Sequence, residues 1–226
     1  TNDTINFFSV NGNYLYQNLN DKLLKKRKFN LFGGCIVNNN NIYYFKDTLT
    51  TPKNAKFIEH AIKSSFGKVI LNVSKLVHPY LKNVKEDCYA PYDYGNLYNY
   101  TKDTIIYLYK NVDLLVLINI NDGKTRVITT QAKYTHIPYK ALTVTDPTSS
   151  GVTITKFESA IEQEHLQSSL CSNSDFVFIQ QDLVFFNPNK EPFQFIDVYS
   201  KYNFIYLTSI PFRMTKKEDF LYDVRC

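Results

Sequence analysis

Two apolar runs flank an Asp-Gly step near the middle of the chain. Residues 114–120 (LLVLINI) are followed by Asn121-Asp122-Gly123-Lys124 and then by residues 125–132 (TRVITTQA). Asp-Gly between such runs is among the strongest short-range hairpin signals, because both residues tolerate the positive φ that a tight hairpin turn demands. The longest greasy stretch, residues 112–120, contains Asp113 and Asn119 and has the length of a strand. It falls well short of the roughly 18 apolar residues that a membrane-crossing helix needs.

Other segments extend the pattern. Residues 29–37 are apolar around Gly33-Gly34, the run 38–41 is all Asn, and residues 42–46 resume as a strand. Asn tolerates turn conformations, so this reads as a second hairpin. Residues 5–10 and 68–73 are short strand candidates. Ser74 is expected to cap a helix through Leu76, Val77 and Leu81, despite Pro79. Residues 89–100, with five Tyr, Pro91 and Gly95, read as a loop, and residues 101–109 as a helix. Residues 155–170 also read as a helix, with Phe157, Ile161 and Leu170 near one face and Glu158, Glu162 and Glu164 in its early turns. Residues 176–186 and 193–209 return to strands. The order predicts an α+β fold with antiparallel sheets rather than alternating βαβ units.

Composition narrows the classes. The chain has 226 residues, 44% apolar and 21% charged, which excludes wholesale disorder and a coiled coil. It is rich in Asn, Lys and Tyr and lacks Trp, a bias expected of an AT-rich coding sequence. Glycosylation sequons at Asn2, Asn72 and Asn99 are no more than that composition produces by chance. No secretory leader is read at the start of the sequence. Cys35, Cys88, Cys171 and Cys226 form no tight motif, and reduced intracellular thiols are expected. Net charge is +5, with the basic excess in Lys22, Lys25, Lys26, Arg27 and Lys28. That cluster reads first as a solvated segment or subunit contact. Its alternative is a phosphate-binding patch of a nucleic-acid-associated protein.

Three arrangements could carry chemistry. Glu162 and His165 have the i, i+3 spacing of a carboxylate-bridged metal site, but no second copy of the motif exists. A Cys–His pair could come from Cys35, Cys88 or Cys171 with His60, His78 or His136, although nothing in the spacing joins them. A Thr at position 1 could act as a nucleophile with its own amine as base, but polar, loop-like residues follow it.

One pattern resembles a known family. Gly33-Gly34-Cys35-Ile36-Val37, the Asn turn, Ile42-Tyr43-Tyr44-Phe45 and Asp47-Thr48-Leu49-Thr50 resemble the opening hairpin of proteasome β-type subunits. Lys56-Phe57-Ile58-Glu59 is similar to the family's following Lys element, and the Asp122-Gly123 hairpin to its central one. The order of elements matches over residues 31–186. The resemblance implies a four-layer αββα sandwich of antiparallel sheets flanked by helices. It implies a single domain: an extension at 1–30, a core at 31–186, and strands or tail at 187–226 contacting neighbours. Cys35 would stand at the nucleophile position, Asp47 at the orienting acid and Lys56 at the pKa-tuning base. The later acid is missing from Leu170-Cys171-Ser172-Asn173-Ser174.

Mechanism then argues for inactivity. The nucleophile's own α-amine must be the base, and 34 residues precede Cys35, which places its nitrogen in an amide. The implied role is a non-catalytic β-type subunit of the 20S proteasome core particle that completes the β ring and shapes the chamber. Its partners would be the other α- and β-type subunits of a complex of about 28 subunits, in cytoplasm and nucleus. No cofactor, metal, membrane or nucleic-acid partner is implied. Two alternatives stay open beside the basic-patch reading. One is a stand-alone structural or interaction protein, viral in origin for example, with Tyr-rich binding loops at 89–109. The other is an active cysteine hydrolase, which requires cleavage between Gly34 and Cys35.

Overall fold

The computed structural model describes residues 4–8, 13–18, 25–28, 35–38, 41–49, 58–64, 68–85, 88–132, 134–145, 153–160, 166–185, 193–213 and 225–226. Within them the chain folds into five antiparallel sheets. The first contains β1 (Thr4–Phe8), β2 (Asn13–Asn18) and β3 (Lys25–Lys28). The second runs β4 (Cys35–Asn38), β5 (Asn41–Leu49), β6 (Ile58–Ser64) and β7 (Val69–Asn72). Helix α1 (Val73–Val77) follows, and a 3-10 turn at His78–Tyr80 extends it. The third sheet is β8 (Gly95–Thr101), β9 (Thr104–Tyr109), β10 (Leu114–Asn119) and β11 (Thr125–Thr129). Strands β12 (Tyr139–Thr145) and β13 (Thr153–Ser159) form a separate ribbon. The last sheet is β14 (Gln167–Ser172), β15 (Phe176–Phe185), β16 (Phe193–Ser200) and β17 (Tyr206–Arg213).

The third sheet is the centre of the molecule, because it is covered on both faces. Ile105, Tyr107, Tyr109, Leu114, Val116 and Ile118 point one way and pack with Tyr43, Ile62, Val73, Val77, Leu81 and Tyr92. Ile106, Leu108 and Leu115 point the other way and pack with Leu170, Val177, Ile179, Tyr199 and Phe204. The register confirms the partition, since Val116 lies opposite Tyr107 and Leu115 opposite Leu108. A strand buried on both faces cannot alternate apolar with polar, which is why β9 and β10 read as continuous apolar runs. Each fully buried Ile or Leu here contributes about 2 kcal/mol from area removed from water.

Several expectations change in this light. The Asp122-Gly123 hairpin is present, with Gly123 at φ 74°. The hairpin of β4 and β5 is present, Asn38 pairing with Asn41. Residues 101–109 are not a helix. They close the β8–β9 turn and form β9, whose Ile, Tyr and Leu side chains suit a pleated, buried surface. The Tyr-rich segment is a 3-10 turn at Ala90–Asp93 followed by β8, rather than a loop. Of the expected helix at 155–170, residues 155–159 lie in β13 and 167–170 in β14, and 161–165 lie outside the described residues. β-branched residues Thr153, Ile154 and Thr155 open β13, and Lys140 lies opposite Glu158 across the ribbon. Ser74 does not cap α1. Asn72 does, its Oδ1 accepting from Lys75 N at 3.0 Å. The helix ends at Val77, where Pro79 leaves a 3-10 turn. The fold is sheet-rich, with the antiparallel sheets that the sequence predicts, and no long helices flank them among the described residues.

The expectation of reduced thiols also changes. Cys171 on β14 is disulfide-bonded to Cys226, with Cα atoms 5.6 Å apart, inside the span a disulfide bridges. The bond ties the last residue to the outer sheet. Cys88 is buried and in no disulfide.

Close packing leaves no room at Gly95. A Cβ there would lie 2.3 Å from Leu108 O and 2.6 Å from the Tyr107 ring. Gly95→Ala is expected to lower unfolding free energy by about 2 kcal/mol in urea titration, the usual cost of overpacking. Gly123→Ala meets open space but must hold φ 74°, and its expected cost is smaller, about 1 kcal/mol.

Candidate functional site

Most positions singled out in the sequence are described by their backbone alone or lie outside the described residues. Cys35 opens β4 opposite Tyr44, and Asp47 lies on β5 opposite His60. Only the backbone of these two is described, and Lys56, Gly33 and Gly34 lie outside the described residues, as do Thr1, Lys22, Glu162, Glu164 and His165. Lys25, Lys26, Arg27 and Lys28 form β3, which pairs with β2. Among the described residues, no group of three His, Cys, Asp or Glu side chains is placed to hold a metal.

A polar cluster does form where sequence spacing showed nothing. Asp93, at the end of the second 3-10 turn, is 1% exposed. Ser74 Oγ donates to its Oδ2 at 2.7 Å, and His78 Nε2 lies 3.1 Å from its Oδ1. His78 also stacks on Tyr89, ring centroids 4.4 Å apart. Here the hydroxyl and the imidazole occupy different carboxylate oxygens. A nucleophilic triad instead needs the hydroxyl hydrogen-bonded to the imidazole. The cluster therefore braces α1 against the 3-10 turn. Tyr107 and Tyr109 add to the same brace, their hydroxyls donating to Asp93 O at 2.5 Å and Val73 O at 2.8 Å. These tyrosines are core, not a binding loop. Tyr92, Tyr107 and Tyr109 are all 0% exposed.

A second buried polar side chain joins the central and outer sheets. Gln167 Nε2 donates to Tyr109 O at 2.7 Å, Val112 O at 2.9 Å and Leu114 O at 3.2 Å, while Thr130 Oγ1 donates to Gln167 Oε1 at 3.0 Å. One amide thus closes the turn between β9 and β10. Asp113 sits in that turn, and burial pushes its carboxyl up to about 6.

The outer sheet carries the feature with the most unspent surface. Strand β17 is an edge in the sheet order, and its side chains are exposed along nearly its whole length. Leu207, Ile210 and Phe212 are 49%, 42% and 38% exposed. The turn before it adds Tyr202 and Ile205, at 82% and 58%. That turn is shaped by Phe204, whose φ of 59° is unusual for a bulky residue. Its ring is buried among Ile106, Leu108 and Tyr199, which offsets the backbone cost. A polar relay anchors the strand: Tyr206 Oη and Ser209 Oγ lie 2.7 Å apart, Ser209 Oγ donates to buried Asp197 Oδ1 at 2.5 Å, and Gln181 Nε2 donates to Asp197 Oδ2 at 2.8 Å. Burial raises the Asp197 carboxyl above its ordinary range, against the lowering effect of those two donors.

The sequence at 193–209 predicts a strand, and its run from Phe193 to Leu207 is rich in apolar residues. The structure divides it: Ile196, Val198, Tyr199 and Phe204 are buried, whereas Ile205 and Leu207 face out. Comparison with known protein families and with curated proteins finds no match for this chain.

Gln167→Met removes four hydrogen bonds at nearly constant volume and leaves buried carbonyls without a donor. An expected loss of about 3 kcal/mol would be read from urea titration. Asp113 holds its proton to about pH 6 in the fold and to 3.8 in the unfolded chain. Its stabilising contribution is therefore full at low pH and falls as the pH rises from about 4 to about 6. Asp113→Asn is expected to raise stability by about 1 kcal/mol at neutral pH and to change it little at about pH 3.5, measured by thermal melts at both.

Proposed function

We propose that this protein is a non-catalytic structural component that works by assembly, and that β17 is its contact strand. The observation that supports this reading is the exposed apolar row Leu207, Ile210 and Phe212 on a sheet edge. A long apolar edge is a template for another strand, and proteins that do not use such an edge usually protect it. The occupant proposed is a second copy of the chain. Strand β17 has one charged residue, Arg213, at its end. An antiparallel copy related by a two-fold axis puts the two Arg213 at opposite ends of the joint strand pair and apolar side chains between them. Pro211 removes one N–H donor from the ladder. Side-chain burial therefore carries more of the contact than the backbone does.

The reading keeps the assembly role that the resemblance to proteasome β-type subunits implied. The ring itself has less support. The two helices that the αββα sandwich would place at 74–81 and 155–170 are here a five-residue helix with a 3-10 turn and parts of two strands. What supports the resemblance is the β4–β5 hairpin and its order before the Asp122-Gly123 hairpin.

Native mass spectrometry and light scattering test the proposal. The expected species is a homodimer, shifted to monomer by Leu207→Lys or Phe212→Glu with unchanged circular dichroism. A monomer at concentrations of about 100 μM, weaker than any contact of standard size would allow, overturns it. A complex of about 28 subunits from the source organism overturns it in favour of the proteasome ring.

A further inference from the structure

The first sheet carries a pattern that its three separate sequence segments do not show. Strands β1, β2 and β3 lie in that order, each antiparallel to the next, with β3 at an edge. Residues directly opposite each other in antiparallel strands share a face of the sheet. The register therefore builds rows across it. Phe8, Tyr14 and Arg27 form one row, and Asn6, Tyr16 and Lys25 form the next on the same face. The alternate residues belong to the other face, where Phe7, Leu15 and Lys26 form a row beside Ile5 and Gln17. One face thus holds Ile5, Phe7 and Leu15, a set suited to burial. The opposite face combines three aromatic residues with two cations.

Charge points to the ligand. Strand β3 is Lys25-Lys26-Arg27-Lys28, a succession of cations. The three strands hold no Asp or Glu. Residues 1–30 contain five basic residues and two acidic ones, Asp3 and Asp21, so this region carries +3 of the chain's +5. Alternation puts Lys25 and Arg27 on the aromatic face, about 6.8 Å apart along the strand. A cationic edge also repels a second strand. That protects the edge but gives no reason for the aromatic rows beside it. Cations next to tyrosine and phenylalanine make a surface for single-stranded nucleic acid, where cations meet phosphates and each unpaired base offers a flat face to a ring. A duplex keeps those base faces inside its own stack.

We propose that this face of the first sheet binds single-stranded nucleic acid, with Lys25 and Arg27 meeting phosphates and Phe8, Tyr14 and Tyr16 stacking with bases. Stacking tolerates every base, so little sequence preference is expected. The site shares no residue with β17, and its test is separate from that of the contact proposed there.

The test is fluorescence anisotropy of the full chain with a labelled oligothymidylate of about 15 nucleotides, within the usual span of such sites. A duplex of the same length and vesicles of phosphatidylserine serve as competitors. The single strand is expected to bind more tightly than either, with an affinity that falls as salt rises. Lys25→Gln with Arg27→Gln should flatten the slope of log affinity against log salt by about 1.4, at about 0.7 per lost phosphate contact. Tyr14→Ser with Tyr16→Ser should weaken binding about tenfold or more at the same slope, and Tyr14→Phe with Tyr16→Phe should keep it, because stacking needs the ring and not the hydroxyl. Lys26→Gln with Lys28→Gln removes the same charge from the other face and should change affinity less than about threefold at about 0.15 M salt, where distant charges are screened. Circular dichroism checks each fold, and the two cation pairs keep the test decisive if the serine variant does not fold. No binding at about 10 μM protein in about 50 mM salt would overturn the proposal. So would equal binding of duplex or vesicles, a folded serine variant that binds normally, or equal losses from the two cation pairs.

Discussion

Burial of the β9–β10 pair on both faces is the constraint on which the rest of the molecule depends. One face, carrying Tyr107, Tyr109, Leu114 and Val116, needs a cover, and α1 with β5, β6 and Tyr92 supplies it. The opposite face, with Ile106, Leu108 and Leu115, needs another, which the outer sheet supplies. An antiparallel sheet commonly leaves one face to water. This one cannot, since neither face carries polar side chains in its middle. The layers on either side are thus consequences of two short apolar runs.

Covering a sheet twice also buries polar groups, and the structure satisfies them locally. Tyrosines do much of this work, because each places a large apolar ring in the core and one hydroxyl at its far end. Tyr92, Tyr107 and Tyr109 each reach a backbone carbonyl of a different segment. Gln167 does the same for three carbonyls at once. Asp93 takes a hydroxyl and an imidazole on its two oxygens. Polar side chains that could suggest catalysis in a list of residues are committed here to holding segments together. Among the described residues, the apolar edge of β17 faces outward.

Much of the strand content was legible. The hairpin at Gly123, the hairpin before Tyr43 and the late strands at 176–185 and 193–200 all carry local turn or alternation signals. Of the three expected helices, the one from Ser74 was legible, as α1 and its 3-10 turn, and the one at 101–109 was not. Residues 104–109 lack alternation because both faces are buried, and a continuous apolar run does not distinguish a strand from a helix. Residues 155–170 read as a helix on Phe157, Ile161 and Leu170 and on three glutamates, but 153–159 pair with β12, where Glu158 lies opposite Lys140. Of the tyrosines of 89–109, Tyr92, Tyr107 and Tyr109 are core while Tyr94 is exposed, a division that composition does not carry.

The sequence by itself determined where the chain turns and where strands can form, since Gly123, the Asn run and β-branched or aromatic side chains act through their own backbone preferences. It also determined that the region from Phe193 to Leu207 is rich in apolar residues. Only the tertiary structure decided which of those residues are core and which face outward. It alone brought Ser74, His78 and Asp93 together, joined Cys171 to Cys226, and set Tyr92 edge-on to His136 and Tyr139. The physical reason is range. Turn and strand preferences act over a few neighbouring residues, whereas these contacts link positions that come close only after the two faces of the central sheet have been covered.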